Sequence, residues 1–139
     1  DPADRAYYEE HIRPLMSDPL VDYIGEIDDA EKPAFLGEAL ALIFPIDWPE
    51  PFGLAMIEAL ACGTPVVARP CGSVPEVMVD GGTGFVADTL EDLVEAVKRI
   101  DTIDRVACRR HVEARFTVQR MADDYVGIYR RVMEARAAA

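Results

Sequence analysis

Glu50 and Glu58 stand eight positions apart in WPEPFGLAMIEALACGTPVV, residues 48–67, a run otherwise dominated by apolar side chains. An ionised carboxylate accepts hydrogen bonds at two oxygens, and each charge-assisted bond contributes about 1.5–3 kcal/mol. Acceptors of this kind suit vicinal hydroxyls, such as those of a ribose or another sugar. Pro45, Pro49 and Pro51 mark a loop after the apolar run ALIFPI, and FGLAMIEALACG reads as a helix that stops at Gly63. Glu50 therefore precedes the helix, while Glu58 lies about five residues inside it, about 7.5 Å along the axis. Between them the amino end of the helix offers the N–H groups of Phe52, Gly53, Leu54 and Ala55. With the helix dipole these can hold a phosphate without any basic side chain. A ligand built as hydroxyls, phosphate, hydroxyls would match the series. A plainer reading competes: Glu50 caps the helix as an anion near its positive end, and Glu58 extends its carboxylate to solvent. For Glu50 taken alone the plainer reading is favoured. For Glu58 it is weaker, because Ile57, Leu60 and Ala61 crowd the same helix. Residue chemistry by itself leaves the choice open.

The surrounding elements alternate between strands and helices. The periodicity predicts a helix over Ala3 to Met16, with Tyr7, Tyr8, His11, Ile12 and Leu15 on one face and an end near Pro14. Val21 to Ile27 alternates apolar and polar residues as a half-buried strand does. Asp28 and Asp29 offer caps for a helix through Leu36 and Ala39 that tolerates Pro33 in its first turn. Ala41 to Ile46 is a continuous apolar run, expected to be a parallel strand covered on both faces. A further strand is expected from Thr64, and a short one over Phe85 to Ala87 after the turn DGGTG. Thr89 caps a helix whose inward face is Leu90, Leu93, Val94 and Val97, and a second stripe follows at Met121, Tyr125, Ile128 and Val132. The alternation predicts an α/β fold: a Rossmann-like open parallel sheet with helices on both faces. In such sheets ligands bind outside the carboxyl ends of the strands, where the amino end of the Glu58 helix lies.

Composition narrows the classes of partner. The 139 residues suffice for one domain with a real core, and half of them are hydrophobic. Lys and Arg total 14 against 26 Asp and Glu, a net charge of -12 that argues against nucleic acid and anionic membrane surfaces. Cys62, Cys71 and Cys108 are odd in number and lack metal-ligand spacing. Reduced thiols and a cytoplasmic setting are expected, with no disulfide framework and no metal. No leader is expected within this stretch, no apolar run approaches roughly 20 residues, and the opening on Asp1 suggests part of a longer polypeptide.

At the two glutamates a resemblance becomes specific. EPFGLAMIEALACGTPVVA, followed by GSVPEVMVDGGTGFV, resembles the C-terminal donor-binding domain of the retaining glycosyltransferases of the GT-B fold, the family that includes bacterial mannosyl- and glucosyltransferases. The similarity runs from about Tyr7 to Tyr129 and is densest from Pro45 to Val86. The resemblance implies that Glu58 binds the ribose hydroxyls of a nucleoside-diphosphate sugar and that Glu50 contacts the hydroxyls of the transferred sugar as the catalytic carboxylate. The amides of Phe52, Gly53, Leu54 and Ala55 would meet sugar hydroxyls and the distal phosphate. The loop around Gly25 to Ile27 would lie against the nucleobase. It implies transfer to an acceptor hydroxyl with retention, in which the departing phosphate helps take the acceptor proton and neither carboxylate is a nucleophile. No cofactor or metal is implied.

The chain also departs from the family pattern. The first two strands of the domain, the loop with an Arg and a Lys for the diphosphate, and the amino-terminal acceptor domain are absent, so residues 1–139 read as a partial domain. Between the Val21–Ile27 and Ala41–Ile46 strands this would leave a gap of about 14 Å, three spacings of about 4.8 Å. Missing chain or a partner copy, as in a homodimer, is expected to fill it. The fragment alone should bind donor weakly and turn nothing over, while acceptor contacts and any peripheral contact with the inner membrane face are expected of the absent domain in the intact protein. A non-catalytic nucleotide-sugar-binding or regulatory domain is the alternative. A two-carboxylate glycosidase ranks far behind, because the glutamates bracket a phosphate seat and not one bond. His11 and His111 are expected to be solvated, Arg69 to form a surface ion pair, and Trp48 to stack on a sugar or pack on prolines.

Overall fold

The computed structural model describes residues 2–137 and divides into two compact units, Asp1–Lys32 and Pro33–Ala139. In the first unit, α1 (Pro2–Tyr7) gives way to a π-helical turn at Tyr8–Ile12 and a 3-10 turn at Leu15–Ser17. The widened turn is closed by Arg13 N–H donating to the Tyr8 carbonyl at 2.8 Å. Pro14 supplies no N–H and crowds the preceding turn, so the single helix expected over Ala3 to Met16 changes hydrogen-bond pattern before reaching its end. Residues 21–28 form no strand. An alternating pattern prepares a segment for a sheet, but a strand exists only where a neighbour accepts its ladder, and none among the described residues does so.

Just ahead of the second unit, Asp28 Oδ1 accepts from the N–H groups of Ala30 at 2.8 Å and Glu31 at 2.9 Å, and the Glu31 carboxylate accepts from Asp28 N–H at 3.3 Å. This reciprocal capping box leads into α2 (Lys32–Glu38), where Pro33 sits in the first turn, needing no donor.

Three short parallel strands follow, β1 (Leu42–Phe44), β2 (Val66–Ala68) and β3 (Gly84–Val86), in the order β1-β2-β3. Leu42 is in register with Val66, and Val66 with Gly84. They are linked by α3 (Leu54–Ala61) and the single-turn α4 (Val74–Val77), and followed by α5 (Leu90–Val97), α6 (Arg105–Arg115) and α7 (Val118–Ala137). Val66, Val67 and Ala68 are each 0% exposed, and successive strand residues point to opposite faces, so both faces of the central strand are covered. β1 differs from expectation. Ile43 is 46% exposed while Phe44 is buried, because β1 is the edge of this sheet and is covered on one face only.

The helices meet the core by faces that only partly match those expected from periodicity. Thr89 Oγ1 accepts from Asp92 N–H at 3.1 Å as the expected cap of α5. Yet the buried face of α5 is Leu93, Ala96 and, partly, Val97, while Leu90 and Val94 are exposed. The stripe of four large apolar residues is wider than the strip that the sheet covers, and small Ala96 makes the close approach. In α6, capped by Asp104 accepting from Val106 N–H, Cys108 and Val112 turn inward. Burial pushes the Cys108 thiol pKa up. On α7, Met121, Tyr125, Ile128 and Val132 keep their helical spacing but remain about half exposed. None of the helices among the described residues is long and apolar enough to cross a membrane.

Candidate functional site

The site is built where two loops leave the carboxyl ends of β1 and β2. From β1, residues 45–53 carry Pro45, Pro49 and Pro51 and deliver the chain to Gly53, the N-cap of α3. Gly53 has φ 76 and ψ 49, the left-handed conformation that only glycine adopts at little cost, and it lets the chain turn sharply into the helix. From β2, residues 69–73 bring Gly72 and Ser73 against the first loop. Ser73 N–H donates to the Glu50 carbonyl at 2.8 Å, and Glu50 N–H donates to the Trp48 carbonyl at 2.8 Å. Gly72 (φ 57) packs so closely that an added Cβ would fall 2.4 Å from Glu50 N. The main chain of Glu50 is thus fixed by neighbours on both loops.

The Glu50 side chain turns onto the helix end, where Oε1 accepts from Gly53 N–H at 3.2 Å. The capping role weighed for Glu50 from its sequence position is therefore realised, and one of the four expected amides is engaged by the protein itself. The bond is longer than the 2.7–2.9 Å of a tight charge-assisted contact. Leu54 and Ala55 open α3, and their N–H groups have no acceptor within the helix. Phe52 is 55% exposed and Leu54 61%, so this end faces outward. Glu58 lies one turn further along α3 and is half-buried. At the far end, Gly63 and Thr64 N–H groups bond back to the Leu60 and Ala59 carbonyls at 3.0 and 2.9 Å, closing the helix after Cys62.

Gly25 and Ile27 belong to the first unit, in the segment that forms no strand; Gly25 has φ 76 and Ile27 is half-buried. Arg69 pairs with Asp47 at 3.6 Å, as expected, across the loops after β2 and β1. Trp48 is 53% exposed. His111 corrects the expectation of a solvated ring. Its Nε2 donates to the Val77 carbonyl at 2.8 Å, and its ring tilts against Phe116 with centroids 5.8 Å apart, tying α6 to the end of α4. Gly72 and Ser73 were not singled out from sequence as site residues. The signal for them was a glycine directly before the helix start SVPE, which marks a backbone approach only once its neighbour is known.

Comparison with known proteins decides the family. The family model described as glycosyl transferases group 1 matches residues 1–110, which include both glutamates and the two loops. The chain belongs to this family. Among curated relatives, the D-inositol 3-phosphate glycosyltransferase of Paenarthrobacter aurescens is 33% identical over 129 residues, covering 86% of this chain and 28% of the relative. The glycogen synthase of Mycobacterium tuberculosis is 34% identical over 105 residues, 74% of this chain and 24% of the relative. The chain thus spans about a quarter of the length of these curated relatives. Among solved structures, the sucrose-phosphate synthase of Thermosynechococcus elongatus superposes with a TM-score of 0.75 at 28% identity, over 96% of this chain and 35% of that one. Anabaena HepE, solved in complex with UDP-glucose, matches in fold with a TM-score of 0.68 at 20% identity, over 100% of this chain and 38% of that one. The three-stranded parallel sheet with its flanking helices is accordingly the expected Rossmann-like part of a GT-B structure.

Proposed function

We propose that this domain binds the nucleoside-diphosphate sugar of a retaining glycosyltransferase, and that the complete protein transfers the sugar to an acceptor hydroxyl. The observation that carries the reading is the meeting of the β1 and β2 loops at the mouth of α3, with Glu50 at the mouth and Glu58 one turn inside. In this reading Glu58 accepts two bonds from the ribose diol. The amides of Phe52 to Ala55 take the distal phosphate and sugar hydroxyls, and Glu50 leaves Gly53 N–H to accept from the transferred sugar. A negative carboxylate beside the sugar then supports the positive charge that develops as the phosphate departs, while the departing phosphate takes the acceptor proton. Glu50 is not a nucleophile in this scheme. Gly25 and Ile27 would border the base. The HepE complexes with UDP-glucose and UDP lend support to a donor of this class. The uncovered edge and face of β1 would receive further strands from the rest of the polypeptide or from a second copy, and acceptor contacts would come from another domain. Three cysteines in the free form accord with a cytoplasmic setting.

Glu58→Ala in the complete protein is expected to cost about 2–4 kcal/mol of donor affinity through two lost ribose bonds. Titration calorimetry against the uridine, guanosine and adenosine diphosphate sugars checks this. An affinity unaltered by the substitution would remove Glu58 from the site.

A further inference from the structure

Ser73 is the N-cap of α4, a position where serine ordinarily turns its hydroxyl onto the helix's own N–H groups, yet its side chain makes no capping bond. Ser73 is only 7% exposed, and among the described residues its Oγ has no hydrogen-bond partner. The hydroxyl is turned toward α3: Oγ lies 3.1 Å from the point where a Cβ on Gly53 would sit. On the same side of Gly53, the same Cβ would meet the terminal methyl of Met56. The backbone of Ser73 is at the same time held to Glu50 by its N–H bond at 2.8 Å. A buried hydroxyl without a partner destabilises the empty fold, so a partner absent from the folded chain is the natural explanation for its retention.

We infer that Ser73 Oγ is an additional donor-binding group, which donates to the ligand oxygen that docks on Gly53 N–H when Glu50 releases it. This rests on the proposed function above and adds to it a hydroxyl donor from the β2 loop. The oxygen it would meet belongs either to the distal phosphate or to a sugar hydroxyl. Both are acceptors, and both lie within the series that the mouth of α3 would receive. Met56, whose terminal methyl borders the same space, is fully buried in the core, and its unbranched thioether would have to shift to admit that oxygen.

The test compares the wild-type complete protein with Ser73→Ala, and with Ser73→Gly should the alanine variant fail to fold. Titrations use UDP, GDP, ADP and their glucose conjugates, and thermal melts are recorded without ligand. The expected result is an equal or higher melting temperature for the ligand-free variant, since an unsatisfied buried hydroxyl has gone, together with an affinity weaker by about five- to tenfold. Weakening for both the diphosphate and its sugar conjugate assigns the oxygen to phosphate; weakening for the conjugate alone assigns it to the sugar. A lower melting temperature with unchanged affinity overturns the inference and makes the hydroxyl structural. If wild type binds a ligand, Glu58→Ala weakens it and Ser73→Ala does not, the inference alone falls. If wild type binds none of the six, the functional reading falls with it.

Discussion

Glu50 is held by atoms that carry no charge. Its carbonyl accepts from Ser73 N–H, its N–H donates to Trp48, and Gly72 closes the remaining side. A methyl group at position 72 would enter the space of the Glu50 peptide, and the left-handed φ of 57 adds a backbone penalty of about 1–2 kcal/mol for any other residue. Gly72→Ala is therefore expected to destabilise the fold by about 2–4 kcal/mol, combining backbone strain with overpacking. Urea denaturation measures it, and a loss under about 1 kcal/mol would mean that the two loops separate without consequence. The placement of Glu50 before α3 and of Glu58 within it could be read from spacing because both are local to one loop and one helix. Ser73 could not, because its significance comes from a residue twenty positions earlier that only folding brings beside it.

At the scale of elements, Arg105 joins three segments. Its Nη1 donates to the Ala39 carbonyl at 2.9 Å, and its Nη2 donates to the Gly37 carbonyl at 2.6 Å and to Thr64 Oγ1 at 2.9 Å. Thr64, fully buried before β2, donates in turn to the Leu36 carbonyl. The guanidinium therefore satisfies carbonyls at the carboxyl end of α2 and complements its dipole, while α6 is fastened beside the start of β2. Arg105→Ala should cost about 2–3 kcal/mol in urea denaturation, and Arg105→Lys should recover less than half, because an ammonium cannot reach three separated acceptors as a planar fork does. Full recovery by lysine would show that charge alone matters there. The cap of α5 was legible as Thr89 ahead of an apolar period, whereas Asp104 as the cap of α6 emerges only in the structure. The orientation of α5 was not, since Leu90 and Val94 yield the buried face to Ala96.

For the whole molecule, β1 is the decisive element. It pairs with β2, and among the described residues no strand pairs with its other edge. Ile43 forfeits part of the 1.5–3 kcal/mol that full burial of such a side chain contributes. α7 repeats the pattern, with Met121, Tyr125 and Ile128 beside Leu54 and Ile57 lining an open groove of about 460 Å³. The 139-residue chain by itself is expected to transfer no sugar from the three glucose conjugates named above to a hydroxyl acceptor, when release of nucleoside diphosphate is followed against the complete protein. Full turnover by a monomer of this chain would refute the assignment of acceptor contacts to another domain.

Reading along the chain was enough for the alternation of strand and helix, the parallel sheet, the Thr89 cap and the two glutamates about the amino end of α3. Each of these follows from periodicity or from groups close together along the chain. Folding settled the rest: Val21 to Ile27 forms no strand, one face of β1 stays open, His111 holds α4, and Gly72 and Ser73 complete the surroundings of Glu50. Those outcomes depend on whether a neighbour is present to share a ladder, a face or a hydrogen bond, and a neighbour distant along the chain is fixed only when the chain folds.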